Sequence, residues 1–230
     1  MIYVPSSMPL LRRRRGNVLN SSGRDGELPE FRKNVLEVMR QPLEEGRVTI
    51  TRSSVTATFP ASFMLVAAMN PCPCGYFGDS RKTCRCSGRQ IRHYRSRISG
   101  PLLDRIDIHL EVPSLSHRDI VGRTEGETSA EIRRRIENAR RIQIARFGDP
   151  RESNARMSGK QVRDFCRIDA EERDLLESAA ERLGLSGRAV SRIFKTARTI
   201  ADLDGKESIL PPHLAEAIQY RNLDRKLAAP

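Results

Sequence analysis

The sequence predicts an α/β protein in two parts: a parallel sheet with helices and a β-hairpin insertion, then an all-helical domain. Three observations lead there. The run FMLVAAM (63–69) is continuously apolar, short and stopped by Asn70-Pro71, the pattern of a strand buried on both faces of a parallel sheet. The segment LLDRIDIHLEVP (102–113) passes from a polar turn into alternation closed by Pro113, which reads as a second strand of the same sheet. Beyond residue 128 the apolar residues recur at helical steps, and no strand pattern is left.

Taken in order, residues 1–26 mix Pro, Ser and Gly with five Arg, show neither helical nor strand period, and read as a mobile arm. Phe31, Val35, Leu36, Val38, Met39 and Leu43 then recur at three- and four-residue steps, predicting one amphipathic helix over 30–45 that Gly46 can end. RVTITRSSVTATFP (47–60), rich in β-branched residues about a polar Arg52-Ser53-Ser54 centre, reads as a hairpin. Residues 71–98 form an insertion within a core domain spanning 27–113; they are basic, cysteine-rich and poor in apolar residues, so something other than a core must order them. A Ser/Gly/Thr-rich linker covers 114–128. The helical domain, 129–230, holds helices over 130–147, 159–166, 170–183, 187–203 and 212–221, with Ser186 starting one and Gly205 following it.

Length and charge narrow the function. A chain of 230 residues can bury one large core or two smaller ones. Its longest apolar run is far below the roughly 18 residues that cross a bilayer, and residues 1–16 fit neither a secretory nor a twin-arginine signal, so a cytoplasmic location without membrane contact is expected. The 41 basic against 29 acidic residues give a net charge of +12, which points to a polyanion such as nucleic acid or nucleotide. Only six of the basic residues are lysine, however, and an arginine excess also follows from genome base composition, so charge alone assigns no partner.

The sharpest local signal is Cys72-x-Cys74 followed after nine residues by Cys84-x-Cys86. Four thiolates from two close pairs can close a tetrahedron around a structural Zn²⁺, and a metal would supply the ordering energy that the apolar-poor stretch lacks. The C-x-C spacing is tighter than the usual C-x₂₋₄-C, which leaves room for a strained pair or for His93 in place of one thiolate; reduced surface thiols are the competing reading. Neither implies catalysis, because a closed four-thiolate site has no open position. Cys166, on an apolar helix face, reads as a core residue. Arg81, Lys82, Arg85 and the arginines up to Arg97 surround the cluster with Tyr76, Phe77 and Tyr94 interleaved, a composition that suits stacking and phosphate contact as well as a solvated face.

Polar residues at strand ends form the second signal. In open α/β sheets ligands sit beyond the carboxyl ends of the strands, where Asn70 and the Glu27-Leu28-Pro29-Glu30-Phe31 segment fall, although a strand-end Asn is ordinarily a turn former. The strings ELPEF, VLEVMRQPLEEG, AAMNPCPCGYFGD, CRCS, SRISGPLLDRIDIHLEVP, LSGRAVSRIFKTARTIADLDG and HLAEAIQYR together resemble the C-terminal part of the YifB/ComM group of magnesium-chelatase-like AAA+ ATPases, from Glu27 to Leu227. The resemblance implies an incomplete AAA+ P-loop core followed by a helical lid, ATP with Mg²⁺ as cofactor, a homo-oligomeric ring, and DNA as partner. It implies that Glu27 is the glutamate closing the Walker B strand, which orients the attacking water, and that Asn70 is sensor 1. It further implies that Arg105 in LLDRID is the arginine finger, with Arg97 as second choice, and that Arg188 in LSGRAVSR is the sensor 2 arginine. The hairpin, with Arg47 and Arg52, resembles the pre-sensor hairpin directed at a ring centre, where it would meet a phosphate backbone. Read from the residues alone, Arg105 and Arg188 are surface ion-pair formers.

The chain departs from that family at its start. It contains no GxxxxGK[ST] string, and the Walker B Asp is replaced by Gly26, with Asp25 one position early and so facing the wrong side of a strand. Autonomous ATP hydrolysis is therefore not expected, and the non-matching first 26 residues suggest a truncated or frameshifted gene product. Two functions remain open: a fragment of a ring-forming DNA motor of the branch-migration type, or a non-enzymatic, zinc-ordered DNA-binding protein.

Overall fold

Pro42 decides how the first helical stretch folds. In place of one helix over 30–45, the computed structural model, which describes residues 2–3, 27–79, 81–112, 122 and 126–221, has α1 (Lys33–Val38) and α2 (Arg40–Glu45) broken at Met39. Pro42 lacks the N–H that would bond the Val38 carbonyl, and its ring crowds that same carbonyl, so a continuous helix stops there. Gly46 ends α2 as expected, at φ +65°, its N–H bonding the Pro42 carbonyl at 3.0 Å.

The hairpin forms where its sequence places it. Strands β2 (Arg47–Arg52) and β3 (Val55–Pro60) pair antiparallel with Arg47 opposite Pro60 and Arg52 opposite Val55. That register leaves Ser53 and Ser54 as a two-residue turn, and Ser53 takes φ +50°, as a twist-matched turn demands. Hydroxyl pairs Thr49–Thr58 (3.1 Å) and Thr51–Thr56 (3.3 Å) line one face, and Ile50, Val55 and Phe59 stay exposed.

The parallel sheet is not found among the described residues. Of the run 63–69 only β4 (Val66–Ala67) is a strand, and of 102–113 only β5 (Ile108–His109); residues 100–103 are instead a short helix, α4 (Gly100–Leu103). Both strands pair antiparallel with β1 (Ile2–Tyr3) in the order β4-β1-β5. They share one sheet, as expected, and run in the same direction, but an antiparallel strand lies between them. Nor is the 63–69 run buried on both faces: Met64 and Val66 are exposed while Leu65, Ala67 and Met69 pack on the core, because one side of β4 has no covering layer among the described residues. Ile2–Tyr3 is thus a strand within the arm expected to lack one; the rest of that arm, and most of the 114–128 linker, lie outside the described residues.

The chain divides into two compact units, Met1–Leu110 with Leu223–Pro230, and Glu111–Asn222. The first has a small core of Leu28, Leu36, Ile98, Leu102, Leu103 and Ile106. The cysteine-rich insertion belongs to this unit and contains a helix that the sequence reading does not assign, α3 (Gly88–Arg95), started by a full capping box between Ser87 and Gln90.

Among the described residues the regular elements of the second unit are all helices, with boundaries within two residues of those read from sequence. It comprises α5 (Ser129–Phe147), α6 (Gly159–Phe165), α7 (Ala170–Leu183), α8 (Gly187–Leu203) and α9 (Pro211–Gln219). Side chains of Thr128, Ser158 and Ser186 cap three of these helices. Ile193, Ala197, Ala201 and Leu214 centre the core, which also takes in Cys166, as its place on an apolar face predicts. Asp202, fully buried, accepts from Arg146 (2.5 and 2.8 Å), Arg198 (3.1 Å) and Asn154 (2.7 Å), so this buried carboxylate is paired on both oxygens.

Candidate functional site

Glu27 and Asn70, 43 residues apart, meet. Glu27 is held in extended backbone before a 3₁₀ turn, Leu28–Glu30, whose Pro29 suits a helix start; Leu28 is buried, and its N–H bonds the Ala68 carbonyl at 2.9 Å. That bond ties the Glu27 segment to the end of β4, two residues before Asn70. The Asn70 amide Nδ2 donates to Glu27 Oε1. The other carboxylate oxygen, Oε2, accepts from the Tyr94 hydroxyl at 2.5 Å, and that hydroxyl in turn accepts from the Asn70 backbone N–H at 3.2 Å. The result is a closed triangle of carboxylate, amide and phenol. Burial, and then the neighbouring Glu27 carboxylate, pushes the Tyr94 hydroxyl well above the ordinary tyrosine range, so it stays protonated and donates. Sequence reasoning placed Tyr94 among stacking aromatics; nothing in the sequence pairs it with a glutamate 67 residues away.

Beside the triangle lies a cavity of about 300 Å³, lined by Glu27, Glu30, Pro73, Gln90, His93, Tyr94 and Arg97. His93 lines this cavity; among the described residues, the group of side chains close enough to share a metal ion is the four cysteines without it. Arg97 is exposed and donates to the Pro29 carbonyl at 3.1 Å.

Cys72, Cys74, Cys84 and Cys86 converge, with sulfurs within 4.8 Å of one another. The Sγ separations are 3.4 Å for 72–74, 3.7 Å for 72–84 and 3.6 Å for 74–84. Four sulfurs each about 2.3 Å from one ion stand about 3.8 Å apart along the edges of a tetrahedron. The cluster is therefore already near the shape that Zn²⁺ takes, and all four thiols are free rather than paired as disulfides. The environment also prepares a thiolate: backbone N–H groups of Tyr76 and Arg85 bring the Cys74 thiol down to about 6, while burial and the hydrogen bond with Cys74 push Cys86 up to about 12. A bound cation would reverse the second shift, because coordinated thiols are deprotonated outright.

Around the cysteines the expected mixture of cations and rings is present, and part of it pairs within the module. Lys82 stands 4.8 Å from the Tyr76 ring centre and Arg95 5.0 Å from that of Phe77. Asp79 accepts from the backbone of Arg81 (2.7 Å) and Lys82 (3.0 Å), folding the tip back on itself.

Two further candidates differ in setting. Arg105 is 8% exposed and held by Glu44, through Nε at 2.9 Å and again through a terminal nitrogen, and by the Pro101 carbonyl at 2.5 Å. Arg188 is exposed, second residue of α8, and belongs to the second unit.

Two family models account for most of the chain: one described as magnesium chelatase, subunit ChlI, over residues 25–120, and one as magnesium chelatase, subunit ChlI C-terminal, over residues 126–221. Among curated relatives, the competence protein ComM of Haemophilus influenzae is 45% identical over 202 residues, 87% of this chain. YifB of Escherichia coli is 41% identical over 203 residues, again 87% of this chain. The chain spans about 39% of the length of each of these relatives. No described helix is long and apolar enough to cross a membrane. With both ChlI models matched in order and ComM and YifB aligned across most of its length, the chain belongs to the ChlI-like magnesium-chelatase family.

Proposed function

We propose that the chain is the C-terminal part of an AAA+ ATPase of the ComM/YifB type, a component of a ring-forming motor that acts on DNA. The observation that carries this reading is the hydrogen bond between Glu27 and Asn70 across 43 residues, a carboxylate and an amide presented together at a strand end. Such a pair can hold a water by its proton and its lone pair at once, which a hydrolytic step needs. ATP with Mg²⁺ is the cofactor the family implies, and the residues present fit only one side of it. Glu27 and Asn70 suit the water and terminal phosphate, but the chain contains no GxxxxGK[ST] string to cradle the other phosphates, and Gly26 stands where a Mg²⁺-holding Asp is needed. The chain alone therefore does not turn over ATP.

The remaining roles follow the same reading. Arg188, exposed near the start of α8, serves as sensor 2. Arg105 serves as the arginine finger only if it leaves Glu44, whereas Arg97, exposed and tied by one carbonyl contact, meets a neighbouring subunit's phosphate at smaller cost. The exposed hairpin, with Arg47 and Arg52 on an otherwise uncovered ribbon, supplies the DNA contact. The four cysteines hold a structural Zn²⁺, which their near-tetrahedral spacing supports.

Mixing with full-length ComM or YifB tests the motor reading. Hydrolysis absent from the chain alone, and altered in a full-length ring on adding wild-type but not Glu27→Gln chain, is the expected result. An unchanged rate at every mixing ratio contradicts it. A second reading, a zinc-ordered DNA-binding protein without nucleotide chemistry, is favoured by the interleaved rings and cations of 76–97; it requires salt-sensitive DNA binding that is lost on chelation and indifferent to ATP.

A further inference from the structure

We infer that Tyr94 is a positioning residue for Glu27, and that the cysteine site sets whether it is in place, so that metal binding and the Glu27 carboxylate are energetically coupled. This rests on the reading of the four cysteines as a metal site and of Glu27 as the water-orienting carboxylate.

The coupling follows from how the pieces are joined. Asn70 is separated from the first ligand, Cys72, by Pro71 alone. The last ligand, Cys86, is followed at once by Ser87, the N-cap of α3, and Tyr94 lies in the last turn of that helix. A capped helix of this length is a lever of about 12 Å with little internal freedom. Its far end is tied back: Arg95, next to Tyr94, donates to the Pro71 carbonyl at 3.1 Å and stacks on Phe77. The turn between the first cysteines closes on the same point. Gly75, at φ +82°, bonds the Cys72 carbonyl at 3.0 Å and comes so near the Asn70 amide that an added Cβ would touch it at 3.8 Å. Segment 70–95 thus leaves the triangle at Asn70, passes through all four sulfurs and returns to the triangle at Tyr94.

Pulling the two cysteine pairs together therefore fixes both partners of Glu27 at once, the amide and the phenol. Releasing them lets segment 71–98, α3 included, lose its order, and the buried Tyr94 hydroxyl leaves Oε2. Because coupling between two sites is reciprocal, whatever metal adds to the Tyr94–Glu27 contact, that contact must add to metal affinity. Metal affinity, which needs no nucleotide, thereby reports on Glu27.

The test titrates Co²⁺ into the chelator-stripped, reduced full chain, read by thiolate-to-cobalt absorption, in wild type, Tyr94→Phe, Glu27→Gln and the double variant. Phe keeps the ring in place and removes only the hydroxyl; Gln keeps the shape of Glu27 and removes its charge at a half-buried position. The expectation is an affinity loss of about 5-fold or more in each single variant, with the double variant no weaker than the weaker single, since both remove one contact. A packing role for Tyr94 would leave Tyr94→Phe unchanged, and a general charge effect of Glu27 would add to the Tyr94 effect; either outcome overturns the coupling while the absorption band leaves the metal site standing. Absence of the band in wild type overturns both the metal reading and the coupling. Should Tyr94→Phe lose its helical circular dichroism, unchanged Co²⁺ affinity in Glu27→Gln alone is enough to overturn it.

Discussion

The helical unit and the cysteine-rich segment 71–98 are ordered by different means. In the helical unit, twelve buried hydrophobic residues form one core, and the fully buried carboxylate of Asp202 is enclosed by two arginines and an amide. In segment 71–98 the buried hydrophobics are Cys72, Ile91, Tyr94 and Ile98; one of these is a thiol in the metal-shaped cluster, and another spends its hydroxyl on Glu27. The contrast teaches that the part nearest the candidate chemistry depends least on apolar burial and most on a few directed contacts. Such a segment can change shape without unfolding the domain beside it.

The largest expected effect removes that dependence. Chelation, or Cys84→Ser, abolishes amide protection across 71–98 and leaves the helical unit's protection and far-ultraviolet dichroism intact, because at the proposed site a metal bound with about 10 kcal/mol would supply the folding energy itself. Equal loss in both units would break the comparison. Next, Asp202→Ala strands Arg146 and Arg198 in the helical core and costs about 3–5 kcal/mol in denaturant unfolding, without altering metal content. Leu214→Ala, at a fully buried position, costs about 2–5 kcal/mol in the same assay.

Smaller effects sharpen the contrast. The Cys74 thiol, brought down to about 6 by the backbone N–H groups of Tyr76 and Arg85, stabilises the folded turn above the ordinary thiol range, and that contribution is lost as pH falls through about 6. Metal release on acidification runs the same way, since protons compete for every sulfur. At the small end, Arg151→Ala removes an exposed pair with Asp149 and shifts helical-unit stability by less than about 1 kcal/mol.

Periodicity was legible where packing is local. The helices of the second unit and the 47–60 hairpin follow their sequence patterns because caps, i to i+4 faces and a two-residue turn are set by neighbours in the chain. The sheet was not legible. A run such as FMLVAAM carries the pattern of a doubly buried strand, but only partner strands could make it one, and among the described residues β1 alone pairs with β4. Pro42 was a visible break that the amphipathic period concealed. In the site, Glu27, Asn70 and the cysteines were read from motifs, while the Tyr94 contact and the capture of Arg105 by Glu44 depend on residues more than sixty positions apart. The Ser87-x-x-Gln90 capping box, with Ile91, Tyr94 and Ile98 at i, i+3 and i+7, is the local sign that Tyr94 lies on a helix.

Native mass spectrometry of the purified, reduced chain bears most directly on what orders the segment that carries Asn70 and Tyr94. The account predicts the mass of the polypeptide plus one zinc ion, shifting to the bare polypeptide in Cys84→Ser together with loss of amide protection over 71–98. A metal-free wild-type chain in which 71–98 is still protected from exchange would contradict it.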